Sequence, residues 1–285
     1  MTLSGPRESR DERSRVAPLS GHPRELRPHA PISVEIARLG KTYDTPAGPA
    51  EIVRDFTLCV EESEFVCLVG HSGCGKSTVL SILMGLNTPT TGGVVINGRE
   101  VDGPGIDRGV VFQSATLLPW MSVRDNVRLA VDQVARAGGH VRRAENYLAA
   151  VGLAEVGDRA PRELSAGMQQ RVGIARAVAL EPRLLLLDEP FSLLDALTRM
   201  DLQDQLLTLW ETTRKTVIMV THDVDEALLL ADRVILMTSG PAARVGRILD
   251  VPFPRPRARE EILARPDYFW LRDTVLAFLE DEAVG

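Results

Sequence analysis

Lysine is nearly missing from this chain: three, at positions 41, 76 and 215, stand against 33 lysines and arginines in total. None of the three follows an asparagine, so the N-K-x-D run with which GTP-binding switches read their base is absent. Cysteine is scarce as well. Cys59, Cys67 and Cys74 are odd in number and form no C-x-x-C pair, which argues against a disulfide framework or a zinc site and for a reducing cytoplasm. No apolar run approaches the roughly 18 residues that a bilayer span requires, so any membrane role is expected to be peripheral. The net charge is -6, which leaves no basic field to recruit nucleic acid or an anionic lipid surface. Residues 1–31 interleave arginines with acids, serines and prolines and contain no apolar segment of a secretory signal; they read as a disordered, solvated tail.

One of the rare lysines falls where chemistry demands it. Gly70, His71, Ser72, Gly73, Cys74, Gly75, Lys76 and Ser77 form a complete G-x-x-x-x-G-K-[ST] phosphate loop, preceded by the apolar run 65–69 and followed by Thr78 and a helix expected over 77–85. Glycines at 70, 73 and 75 let backbone N–H groups converge on a phosphate at the positive end of that helix. Lys76 would reach the β- and γ-phosphates and Ser77 would hold Mg²⁺.

At 285 residues and 44% apolar content, the chain can bury one large α/β core or two modest ones. Alternation at Phe56, Leu58 and Val60 predicts a half-solvated antiparallel strand, and Asn97-Gly98 after 94–96 predicts a hairpin. From 114 to 165 the spacing turns helical: Val123, Val127, Ala130, Val131 and Val134 behind the cap Ser122, then Gly138-Gly139 as a stop, then Val141, Ala144, Leu148 and Val151. Continuously apolar runs at 184–187, 217–220 and 234–237 resume a buried parallel sheet. The expected fold is thus α/β, a phosphate-loop NTPase core with a parallel sheet, an antiparallel β flank and an α-helical insertion. Pro252, Pro254 and Pro256 mark residues 251–285 as a proline-rich linker and helical tail. Tyr268, Leu271, Val275, Phe278 and Leu279 share one face of that tail, set to pack on its own domain or a partner, and the remaining length leaves no room for an appended regulatory β-barrel.

Strand 184–187 ends in Asp188-Glu189, at the carboxyl edge where open α/β sheets bind ligands. Asp188 would assist Mg²⁺, and Glu189 would orient or deprotonate an attacking water. His222 follows strand 217–220 to the same edge, and Gln113 follows strand 110–112. An acidic helix cap, a polar loop residue or a capping histidine would explain each alone; together with Lys76 and Ser77 they favour a nucleotide site, with Gln113 contacting Mg²⁺ or water.

Leu164-Ser165-Ala166-Gly167-Met168-Gln169-Gln170-Arg171 resembles the signature of ATP-binding-cassette ATPases, normally L-S-G-G-Q. The order Tyr43, phosphate loop, Gln113, signature, Asp188-Glu189, the D-loop Ser192-Leu193-Leu194-Asp195 and His222 is similar to that family over residues 32–250. The resemblance implies that Tyr43 stacks on adenine and that two subunits, identical or paralogous, sandwich ATP head to tail. Ser165, Ala166, Gly167 and Met168 of one would then complete the site of the other. Met168, the run 107–113 with 117–120, and the runs 223–232 and 238–241 resemble the nitrate/sulfonate/taurine importers, most of all nitrate-type ATPases. That implies an ATPase at the cytoplasmic face of the inner membrane, driving separate transmembrane permease subunits and, indirectly, serving a solute-binding protein. Nitrate is the first substrate expected, with aliphatic sulfonates or taurine second; a soluble cassette ATPase of DNA repair or chromosome organisation is the alternative of another class. Ala166 departs from the family glycine. The β-carbon costs roughly 1 kcal/mol or more if the backbone needs positive φ, and little if it does not; a modestly weakened composite site is expected.

Overall fold

The alternating residues 32–61 fold into a long antiparallel hairpin, β1 (Ile32–Thr45) and β2 (Gly48–Glu61), which buries Phe56, Leu58 and Val60. The structure, a computed structural model, describes residues 31–134 and 140–284; the expected tail, apart from Pro31, and the Gly138-Gly139 stop lie outside the described residues. After β3 (Phe65–Val69) and α1 (Lys76–Leu83) come β4 (Thr91–Ile96) and β5 (Arg99–Glu100). Between these two strands Asn97 and Gly98 take φ of 49° and 75°, the mirror-image turn that suits a twisted hairpin. The flank is a four-stranded sheet in the order β2-β1-β4-β5.

The remaining elements are β6 (Arg108–Val111), α2 (Val123–Val134), α3 (His140–Ala150), α4 (Ala166–Ala179), β7 (Leu184–Asp188), α5 (Ala196–Thr213), β8 (Thr216–Thr221), α6 (Val224–Leu230), β9 (Arg233–Met237), β10 (Val245–Asp250), α7 (Arg259–Leu263) and α8 (Pro266–Val284). The second sheet runs β10-β9-β3-β8-β7-β6 and is parallel except for β10. Every residue of β3 and β8 is buried, as both-face coverage requires. Along β3 the side chains alternate between two cores. Val66 and Leu68 face α1 and the antiparallel sheet, whereas Phe65, Cys67 and Val69 face the side packed by α5, α6 and α8.

Register delivers the site. Val69 pairs with Thr221 and Asp188 with Val220, so three strands end level at one carboxyl edge.

Two boundaries differ from expectation. The helical insertion does not close at residue 165: Val172, Ala175 and Ala179 of α4 complete the core that α2 and α3 begin with Val123, Val127, Ala144 and Leu148. An amphipathic helix pair has too little apolar surface of its own and recruits the next helix. The proline-rich stretch is not a linker. Phe253 and Arg257 are buried, and the Arg257 guanidinium donates to the carbonyls of Leu229 (2.9 Å) and Ala231 (2.8 Å) at the end of α6. Arg255 lies over the Trp210 ring at 4.1 Å. Tyr268, Leu271 and Val275 then bury the inner face of α8 in the same core.

Candidate functional site

The loop after β3 is shaped by Gly75, whose φ of 99° only glycine adopts readily and whose absent β-carbon would meet Val53 Cγ2 at 2.9 Å. Lys76 opens α1 and is only 5% exposed. Its ammonium donates to the carbonyls of Gly70 (2.7 Å) and His71 (2.8 Å), which hold it at the inner rim of the loop. Cys74 packs beneath, with burial pushing its thiol up, so it fills space and is no nucleophile. Ser72 and Ser77 are exposed and Thr78 is half-buried. The His71 ring turns away from the loop and contacts the carbonyl of Leu279 in α8 at 2.6 Å.

Ser77 Oγ donates to Asp188 Oδ1 at 3.3 Å, across two strand positions of the sheet. Burial raises the Asp188 carboxyl above its ordinary value, opposed by the Ser77 hydrogen bond and Lys76 and reinforced by the neighbouring Glu189 charge. A hydroxyl and an incompletely compensated carboxylate side by side are hard oxygen donors, and they fit a small divalent cation such as Mg²⁺.

Glu189 follows with φ of 43°, a left-handed backbone that non-glycine residues adopt at a cost and that clusters at functional sites. Its N–H donates to the Val220 carbonyl (3.0 Å), which fixes the turn, and its Oε2 stands 3.3 Å from His222 Nδ1. The edge therefore brings Ser77, Asp188, Glu189 and His222 together. Gln113 joins through a bridge that the sequence did not reveal: its Nε2 donates to Ser192 Oγ (3.0 Å), and Ser192 Oγ donates to the Glu189 carbonyl (3.0 Å). A serine three residues after Glu189, beyond Pro190, was the available signal for a turn closing on that carbonyl.

The other predicted residues sit on neighbouring elements. Tyr43 makes its contacts on the antiparallel flank, with its hydroxyl accepting from Asn87 Nδ2 and its ring 4.7 Å from the Lys41 ammonium. Ser165 caps α4 and accepts from Met168 N at 3.3 Å. Ala166 is the first residue of that helix and is outside the positive-φ set, so the backbone reason for a weakened site does not hold. Gly167 packs so closely on Thr198 that a β-carbon would meet its Cγ2 at 2.3 Å. Met168 is half-buried against the helical core rather than turned wholly outward. Asp195 caps α5 by accepting from Thr198 N (3.1 Å), and that hydrogen bond lowers its pKa.

Two further polar residues escaped the sequence reading. Buried Gln170 in α4 donates to the Phe112 carbonyl (2.9 Å), directly before Gln113. Buried Asn126 accepts from Leu118 N (2.8 Å) and donates to the Ser122 carbonyl (2.9 Å), which staples the 118–122 turn and leaves Trp120 76% exposed at its apex.

Residues 53–192 match the family model described as ABC transporter. Among curated relatives, the nitrate import ATP-binding protein NrtD of Synechococcus elongatus is 51% identical over 247 residues, covering 85% of this chain and 89% of that protein. The bicarbonate transport ATP-binding protein CmpD of the same organism is 49% identical over 254 residues, covering 88% of this chain and 91% of that protein. Among solved structures, the dimeric post-hydrolysis state of the ATP-binding cassette MJ0796 bound to ADP and Pi superposes with a TM-score of 0.69 at 33% identity, covering 78% of this chain and all of that one.

Proposed function

The chain belongs to the ABC transporter family as an ATP-hydrolysing subunit, and we propose that it energises uptake of a small oxyanion, nitrate first, through separate membrane subunits. Similarity along nearly the whole chain to a nitrate import ATPase carries this reading. The bicarbonate relative is nearly as similar and supplies the second reading; both solutes are small planar monoanions, and neither would touch this chain, because a solute-binding protein and the permease select them. No helix among the described residues is long and apolar enough to cross a membrane. By its likeness to import ATP-binding subunits, the chain would work from the cytoplasmic face against permease partners.

Catalysis would run on the edge cluster. ATP lies along the phosphate loop with its γ-phosphate before Glu189 and His222, and Tyr43 takes the adenine. Mg²⁺ would be held by Ser77, Asp188 and the Gln113 amide oxygen and would offset phosphate charge. Glu189 takes a proton from water as the water oxygen bonds to the γ-phosphorus. The bond to the β–γ bridging oxygen breaks, and ADP and phosphate leave. His222, against Glu189, orients the γ-phosphate. Ser165 and the Gly167 N–H of a second subunit, at the start of α4, would supply positive dipole from the opposite face, so a lone subunit turns over slowly. Closure of the two subunits would pass through Gln113 and the 117–120 turn to the permease.

Deleting the gene should abolish growth on nitrate as sole nitrogen source and spare growth on ammonium. Failure only at limiting inorganic carbon would assign bicarbonate, and failure only on aliphatic sulfonates or taurine as sulfur source would assign those. Unimpaired growth on nitrate would remove the nitrate reading.

A further inference from the structure

α8 touches the phosphate loop at one end and, at the other, the helix that follows His222. In its first turns Tyr268 Oη donates to Asp225 Oδ1 (2.7 Å) and Arg272 Nε donates to the same oxygen (2.8 Å). Asp225 stands in the first turn of α6, three residues beyond His222. In the last turns of α8 the Leu279 carbonyl meets the His71 ring at 2.6 Å, and Glu282 grips the turn after β9. Its Oε2 accepts from Ser239 N (2.7 Å) and its carbonyl accepts from Ser239 Oγ (2.7 Å). Between the two ends, Leu271 and Val275 are buried in the main core, so the helix cannot slide independently of the sheet. Phe278 wedges against Gly246 of β10, where a β-carbon would lie 2.5 Å from its ring.

The contact at His71 matters because that residue is held from two sides. Its ring is tied to α8, and its carbonyl accepts from the Lys76 ammonium that must turn to phosphate when ATP arrives. A loop whose outer rim is fixed presents its N–H groups already converged; one whose rim is loose must be ordered by the ligand, at a cost in affinity. At the other end, Asp225 ties the first turn of α6 to α8, three residues beyond the His222 that stands against Glu189. Small displacements of such groups act on the chemical step rather than on binding.

We propose that α8 is a positioning strut for ATP turnover, its C-terminal turns setting the phosphate loop and therefore ATP affinity, its N-terminal turns setting the His222 end of α6 and therefore the rate of the chemical step. The inference rests on the site assignment proposed above. In the full-length chain, Glu282→Ala should raise the Kd for ATP by about 3- to 10-fold, the transmitted share of one charge-assisted hydrogen bond. Its kcat at saturating ATP should stay within about twofold. The double variant Tyr268→Phe/Arg272→Ala should do the reverse, lowering kcat by about 3- to 10-fold and leaving Kd in place. Glu282→Gln, which keeps an oxygen for Ser239 N, should restore most of the affinity. If both variants moved Kd and kcat together, or moved neither while only lowering Tm, α8 would be mere packing and the strut would be overturned. Lys76→Ala, measured alongside, must abolish tight ATP binding. If it does not, the site assignment fails first and the strut with it.

Discussion

His222 Nδ1 and Glu189 Oε2 lie 3.3 Å apart at the ends of adjacent strands β8 and β7, the carboxylate held there by a left-handed backbone. On the proposed reading, the pair would set the base and a γ-phosphate partner side by side. Because the Glu189 backbone is fixed by Val220 and Ser192, a substitution that keeps its size should keep its place.

Glu189→Gln should therefore bind ATP normally and hydrolyse it about 10²- to 10⁴-fold more slowly, the range for loss of a positioned general base. An ATP-bound dimer should accumulate on size-exclusion chromatography. Turnover at the wild-type rate would remove Glu189 from the role of base.

Ser77 and Asp188 meet at 3.3 Å and form the proposed Mg²⁺ site. Chelation of divalent cations should stop hydrolysis while ATP still binds. Ser77→Ala or Asp188→Asn should raise the Mg²⁺ concentration for half-maximal turnover by about an order of magnitude or more, since one of few protein ligands is lost. A metal titration of steady-state rate reads this directly.

Glu226, 5% exposed, accepts from Gln203 Nε2 at 2.9 Å, and burial pushes its carboxyl up to about 7. Between its ordinary value of 4.5 and about 7 the folded chain keeps a proton that the unfolded chain releases. Stability should fall as pH rises through that window and level off above it, by on the order of 3 kcal/mol. Glu226→Gln should flatten the slope, melting a few degrees above wild type at pH 8 and level with it near pH 4.5.

Ala166→Gly should lower stability by at most about 1 kcal/mol, because Ala166 sits in the first helical turn of α4 without positive φ. ATPase rate and ATP-driven dimerisation should be unchanged. A severalfold gain in either would mean that the β-carbon obstructs the partner subunit.

The phosphate loop was legible because its geometry demands glycine and lysine at fixed positions, and the parallel strands because burial on both faces leaves continuous apolar runs. Carboxylates at the ends of such runs were legible for the same reason. Ser192, Gln170 and Asn126 were not, since a single polar residue shows no periodicity and its partner is decided by sheet register and helix packing. The 251–257 segment misled differently: prolines signal a break in local structure, but nothing local tells that Arg257 will be drawn inside to cap α6. A glycine in a family motif suggests positive φ at position 166, whereas here Ser165 caps the helix and Ala166 begins it without positive φ.

Trp120, exposed on its Asn126 staple, also gives the molecule an optical reporter. Trp210 is shielded, with guanidinium groups over its ring and its indole N–H on the Lys215 carbonyl, and Trp270 is half exposed on α8. In a Trp270→Phe protein the water-exposed emission would come from Trp120 alone. On the proposed permease contact at the 117–120 turn, that emission should shift to the blue when a tryptophan-free permease in detergent is added, which times docking without any attached dye.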